Sequence, residues 1–142
     1  MNRKLTRTRA LEEAPAAAQP ANSEWPPRGV LTSDASSEHR KEVPMCEGLI
    51  DYFPDACAYV AYVSFRGNQK HNPGEPLHWA RGKSMDHADC ILRHLKDRGK
   101  FDPEGIRHTG ELAWRALALL QEELEKFYGL PRPRNATELP PQ

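Results

Sequence analysis

Three observations on this 142-residue chain predict an all-α fold. Apolar residues recur at helical spacing in three stretches, no stretch of useful length alternates as a strand would, and proline or glycine brackets each apolar run. The expected architecture is a small bundle of three main helices, with a long ordered loop between the first and second, flanked by disordered tails.

The first helix is expected to start near Pro54, since proline suits the first helical turn, and to run to about Phe65 before Gly67. Its close-packing face would be Phe53, Ala56, Cys57, Val60, Ala61 and Ser64. The second is expected to open at Ser84 as N-cap, with Asp86 and His87 in its first turn, and to end where Arg98 meets Gly99. Ala88, Ile91, Leu92 and Leu95 would be its core face. The third should start near Glu104–Arg107 and end at about Tyr128 before Gly129, with Leu112, Ala113, Ala116, Leu117, Leu120, Leu124 and Phe127 facing the core. The connection from Gly67 to Lys83 is long for a compact domain. Its Trp79 and two histidines, with few serines, favour an ordered functional loop.

Composition divides the chain into a tail at 1–40, a helical domain at 41–128 and a Pro-rich tail at 129–142. Eight of the thirteen prolines lie outside the middle segment, and the first forty residues carry almost no periodic apolar pattern, so the tails are expected to be disordered. Within the first tail, Leu5–Glu13 could form a transient helix and Trp25 is a candidate docking point. A globular part of about 85–90 residues is near the lower size for a comfortable single core. A homo-oligomer is therefore expected.

Twenty basic and twenty acidic residues give zero net charge, which argues against coating DNA or a membrane surface. Cys46, Cys57 and Cys90 form no C-x-x-C pair and are read as reduced thiols. The basic N-terminus is followed by no hydrophobic signal core, and no run approaches the roughly 20 apolar residues of a membrane span. A cytoplasmic location is the expectation.

Chemistry-bearing residues concentrate between His71 and Glu125, where five of the six histidines lie among interleaved acids and bases. On the second helix Asp86, Asp89, Arg93 and Asp97 fall on one arc, with His87 and His94 at its border. Carboxylates at i and i+3 can share a hard cation such as Mg²⁺, while a nearby Arg neutralises phosphate. The same stripe also suits a solvated face with helical ion pairs. On the third helix Arg107, Glu111, Arg115 and Glu122 form the polar side, with His108 at its edge. The loop residues His71, Asn72, His78, Trp79, Arg81 and Lys83 offer donors and a stacking ring that suit a nucleotide, although Trp79 could equally be a core plug. No P-loop and no nucleophile elbow is present, and Cys90 reads as packing.

Three stretches, YFPDA at 52–56, GNQKHNPGEPLHWARGKSMDHADCILRHLKDRG at 67–99 and IRHTGELAWRALALLQEELE at 106–125, resemble a phage and prophage family, the dATP/dGTP diphosphohydrolase N-terminal domain. The resemblance spans about 40–125 and implies hydrolysis of deoxypurine nucleoside triphosphates to monophosphate and pyrophosphate with Mg²⁺ or Mn²⁺. The related MazG-like all-α pyrophosphatases carry an E-x-x-E pair on one helix and an E-x-x-D pair on another. The nearest counterpart here is Asp86-x-x-Asp89 followed by His108-x-x-Glu111, with different residue types. Read onto this chain, Asp86, Asp89 and Glu111 would hold metal, and His94 and His108 would be auxiliary ligands or proton carriers. Lys83, Arg93 and Arg115 would hold phosphate; Asn72 and Trp79 would contact base or sugar, with His71, His78, Arg81 and Arg107 completing the binding set. The rival expectation is a non-catalytic nucleotide-binding or protein-interaction module.

Overall fold

The computed structural model describes residues 36–136, and these are helical, with no strand among them beyond one isolated antiparallel bridge between Phe101 and Arg107. The sequence readings for residues 1–35 and 137–142, including the Leu5–Glu13 helix and Trp25, lie outside the described residues.

The order is a short α1 (Ser37–Glu42), a π-helical turn (Cys46–Ile50), α2 (Pro54–His71), α3 (His87–Lys96), α4 (His108–Tyr128) and a 3-10 turn (Arg134–Ala136). The small all-α bundle expected from the sequence is what the chain forms. Pro54 opens α2, and α4 ends at Gly129, whose φ of 61° is the left-handed cap that glycine adopts without strain. Two boundaries differ from expectation. Helix α2 runs on through Gly67 to His71, because one glycine costs a helix only about 1 kcal/mol. Helix α3 begins at His87, with Asp86 at the N-cap position; the Ser84 hydroxyl is engaged by Asp86 and Arg115 and does not cap the helix.

Helix α4 is the spine, and α3 and α2 both pack on it. The closest approach of α2 is at Gly110. A Cβ there would meet the Tyr59 ring at 2.5 Å, and the Tyr59 hydroxyl accepts from Arg107 N–H at 2.9 Å.

The connection from α3 to α4 is a tight turn organised by Asp102. Its Oδ1 accepts from the backbone N–H of Glu104 (2.8 Å) and of Ile106 (2.7 Å), an Asx turn that buries Ile106. His108 N–H then donates to Lys100 O, so the start of α4 is fixed against the end of α3.

The loop from 72 to 86 is pinned to α4 by a buried bidentate pair. Arg81 donates to both Glu125 oxygens at 2.6 and 2.7 Å, with side chains only 9% and 10% exposed. Gln121 donates to the same carboxylate, and the Arg81 guanidinium lies 4.1 Å from the Trp79 ring centre. The segment after Gly129 stays packed as far as Ala136, which is buried, and Trp79 N–H donates to Asn135 O at 2.6 Å. Chain order therefore continues into the Pro-rich stretch.

The core faces depart from the expected ones. On α3 the inward residues are His87, Cys90, Ile91 and His94, whereas Leu92 and Leu95 are exposed. On α4 Gly110 and Ala118 are buried and Glu111, Trp114 and Arg115 are partly buried, while Leu117, Leu120 and Phe127 are exposed. On α2 Cys57, Val60 and Ser64 turn inward as expected, but Phe53, Ala56 and Ala61 do not. The helices meet through small and polar residues, which let α3 and α4 come close. Leu92, Leu95, Leu117 and Leu120 are left exposed, whereas Leu112, Ala113 and Leu124 are partly buried as expected.

Candidate functional site

Helix α2, the loop and the facing sides of α3 and α4 enclose an open cleft of about 850 Å³. Its walls include the apolar Val60, Val63 and Leu117 and the polar Asn72, Lys83, Arg93 and Arg115. His94 and Glu111 lie in the wall at the end where the helices converge.

The convergence there is tight. His94 Nδ1 and His108 Nδ1 are 3.0 Å apart, and Glu111 Oε2 lies 3.2 Å from the first and 3.4 Å from the second. Among the described residues this is the sole group of three or more His, Cys, Asp or Glu side chains arranged to hold a metal ion. His108 and Glu111 share one turn of α4; His94 comes from the last turn of α3, set opposite them by the Asp102 turn. Glu111 Oε2 is buried and makes no hydrogen bond: it is near both imidazoles in distance, without the angle a bond needs. Burial lowers the pKa of His94, with the neighbouring His108 and the Arg115 and Arg93 charges acting the same way. Burial likewise raises that of Glu111, with Asp102 adding to the effect. Burial therefore disfavours the charged forms of both His94 and Glu111.

The cations around it differ in how they are engaged. Arg115 donates to Ser84 Oγ at 2.7 Å and points at His87 Nδ1 at 3.2 Å; it pairs with no carboxylate among the described residues. Lys83 reaches two neutral oxygens, His71 O and Asn72 Oδ1, both at 2.6 Å. Arg93 is held by Asp86 at 3.0 Å and also donates to Cys90 Sγ. His87 is 3% exposed, with Glu122 Oε1 at 3.5 Å from an Nε2 that has no hydrogen-bond partner.

The expected three-carboxylate site does not assemble within one chain. Glu111 joins two histidines, whereas Asp86 and Asp89 belong to no such group. The Asp86 carboxylate is used locally: it accepts from Ser84, Arg93 and Cys90, which hold its pKa well below the usual carboxylate range. Asp89 is exposed and lies outside the cleft wall. The i, i+3 spacing suggests one shared face, but only Asp86 reaches the cleft wall, where Ser84 links it to Arg115.

Of the residues expected to bind substrate, His71, Asn72, His78, Trp79, Lys83, Arg93 and Arg115 line the cleft. Arg81 and Arg107 do not. Arg81 is consumed by Glu125, and Arg107 stacks over the Phe101 ring at 4.5 Å. Trp79 serves as a plug: its ring meets Trp114 edge-on at 5.6 Å and His87 at 6.2 Å. Residues that sequence reasoning passed over include Asp102, Tyr59 and Trp114. The Asp-Pro-Glu-Gly turn at 102–105 was a readable signal for the first; the others follow only from packing. Cys90 is buried and its thiol is pushed up by burial, in line with a packing role.

Magnesium, the ion the resemblance implies, takes oxygen ligands in a near-octahedral shell. The two imidazole nitrogens and one carboxylate oxygen that converge here do not fit it. No family model, no curated protein and no solved structure matches this chain. Among the described residues no helix is long and apolar enough to cross a membrane.

Proposed function

We propose that this chain binds a deoxypurine nucleoside triphosphate in the cleft and hydrolyses it to the monophosphate and pyrophosphate, as a cytoplasmic enzyme of phage-type nucleotide metabolism. One observation carries the reading. Arg115, partly buried in the cleft wall beside the His94–His108–Glu111 cluster, has no carboxylate partner among the described residues, and Lys83 and Arg93 share that wall. An uncompensated guanidinium in a recess is an anion site in waiting, and its fork suits phosphate oxygens. The apolar lining residues Val60, Val63 and Leu117 offer surface for a base. The preference for deoxypurines rests on the sequence resemblance.

In this reading water adds to one phosphorus as the bond to the bridging oxygen breaks, and the pyrophosphate leaves with the bridging electron pair. Arg115 and Lys83 stabilise the charge on the phosphoryl oxygens, and the proton of the attacking water passes to solvent through the open cleft. Asp102 positions His108 and Glu111 through the turn that starts α4.

The test is pyrophosphate release from a panel of dNTPs and NTPs with several divalent ions. Release from dATP and dGTP, lost in Arg115→Ala, supports the reading. Absence of release from folded protein under every ion contradicts it and leaves the non-catalytic nucleotide-binding module.

The exposed leucines favour a homo-oligomer as part of this proposal. No large side chain among the described residues is fully buried, while Leu92, Leu95, Leu120 and Phe127 are all at least 45% exposed. Being about half exposed, each such side chain forgoes about 1 kcal/mol of burial in the monomer.

A further inference from the structure

We propose that His94 Nδ1, His108 Nδ1 and Glu111 Oε2 form a binding site for one divalent transition-metal ion of the Zn²⁺ or Co²⁺ type. The inference does not depend on nucleotide hydrolysis. It stands on the shape of the cluster and on an orphaned atom within it.

The three donor atoms form a triangle with sides of 3.0, 3.2 and 3.4 Å. Ligand atoms at about 2.0–2.1 Å from a tetrahedral ion stand about 3.3 Å apart, so the triangle matches one face of such a shell. Two imidazoles and a carboxylate are also a known ligand set of catalytic zinc, with the fourth position left for water or substrate. His94 and Glu111 both belong to the cleft wall, so a phosphate oxygen or water reaches that position from the cleft.

Hydrogen bonding alone leaves the cluster unsatisfied. The two Nδ1 atoms can share one proton between them, but Glu111 Oε2, buried beside both, receives no hydrogen bond. A cation among the three donors would satisfy all of them. The charge around the site is suited to an occupant with its own anion: Arg93 and Arg115 lie on the cleft side, and Asp102 and Glu104 on the turn side. Nitrogen donors explain the discrimination against Mg²⁺. The other acids of α3 play no part, since Asp86 is occupied by Ser84 and Arg93.

The experiment uses the full, untagged chain, stripped with a chelator and titrated with Zn²⁺ while the histidine side-chain nitrogens are observed by ¹⁵N NMR. Expected are saturation at one ion per chain and large shifts of Nδ1 in two histidines, assigned as His94 and His108. A thousandfold excess of Mg²⁺ should not reproduce them. With Co²⁺ the same protein should show the intense visible absorption of a tetrahedral ion, abolished by Zn²⁺. His94→Ala and Glu111→Gln should each weaken Zn²⁺ at least about a hundredfold. Should those variants fail to fold, the wild-type spectra decide alone. Uptake that leaves both Nδ1 resonances unmoved, or that Mg²⁺ matches, overturns the site. Zinc binding without pyrophosphate release would keep the site and sink the hydrolase reading; release without zinc binding would do the reverse.

Discussion

The seam between α3 and α4 and the outer surfaces of the same two helices are nearly the inverse of what a small helical domain builds. Inside are three histidines, a glutamate, an arginine and a cysteine, with Ile91 and Trp114 beside them; outside are Leu92, Leu95, Leu120 and Phe127. A seam chosen for stability alone would hold the leucines, because burying polar groups without partners costs about 1–3 kcal/mol each. Two of those polar side chains, His87 and Glu111, do keep a buried atom without a hydrogen bond. The contrast fits the proposals made above, in which the inner faces answer to a ligand and the outer faces to a second copy of the chain.

The comparison breaks most severely at the loop anchor. Arg81→Ala leaves the Glu125 carboxylate buried without its bidentate partner and is expected to cost about 3–5 kcal/mol in urea denaturation. The pH dependence of that loss follows from Glu125. Its pKa is depressed below the ordinary 4.5, first by the Arg81 hydrogen bond and further by Gln121. The unfolded chain therefore binds the proton more readily, and the stability contributed by the pair is present above 4.5 and lost as pH falls through the depressed value. The gap between wild type and Arg81→Ala should narrow on acidification below pH 4.5; a gap constant to pH 2 would mean the charge pair is not its source.

Gly110→Ala comes next. Its Cβ would run into the Tyr59 ring and crowd Val63, so overpacking of about 1–3 kcal/mol is expected in the melting transition. A neutral or stabilising result would mean that α2 packs more loosely on α4 than described.

The outer face should respond in the opposite manner. Leu120→Ser with Phe127→Ser, at positions half exposed in the monomer, should lower the stability of the dilute single chain by only about 1 kcal/mol per site. Sedimentation should nonetheless show loss of self-association. If wild type and variant sediment alike as monomers, the outer leucines serve no partner of the same chain.

How much of this was legible in the residues depends on the feature. The helices themselves were: Pro54 and Gly129 mark the ends of α2 and α4, and the apolar period marks their bodies. Rotation about each helix axis was not. Hydrophobicity tells which side of α3 avoids water, and that is Leu92 and Leu95, but not whether the covering neighbour belongs to the same chain. The same ambiguity put the metal on Asp86 and Asp89. Spacing shows that two acids share a face, while their distance from Glu111 depends on the angle set by the Asp102 turn. His94 and His108 were visible as border residues. That they meet at 3.0 Å, fourteen positions apart, is a property of that turn.

The most direct test of the inner seam as a ligand site is calorimetric titration of the Zn²⁺-loaded chain with dGTP, beside Arg115→Ala and the outer double variant Leu120→Ser, Phe127→Ser. Saturable binding at one nucleotide per chain is predicted, weakened at least about tenfold by Arg115→Ala, which corresponds to the loss of one charge-assisted phosphate contact. The outer variant should bind as wild type does. Equal affinity in wild type and Arg115→Ala, or no binding to folded protein, would contradict the account.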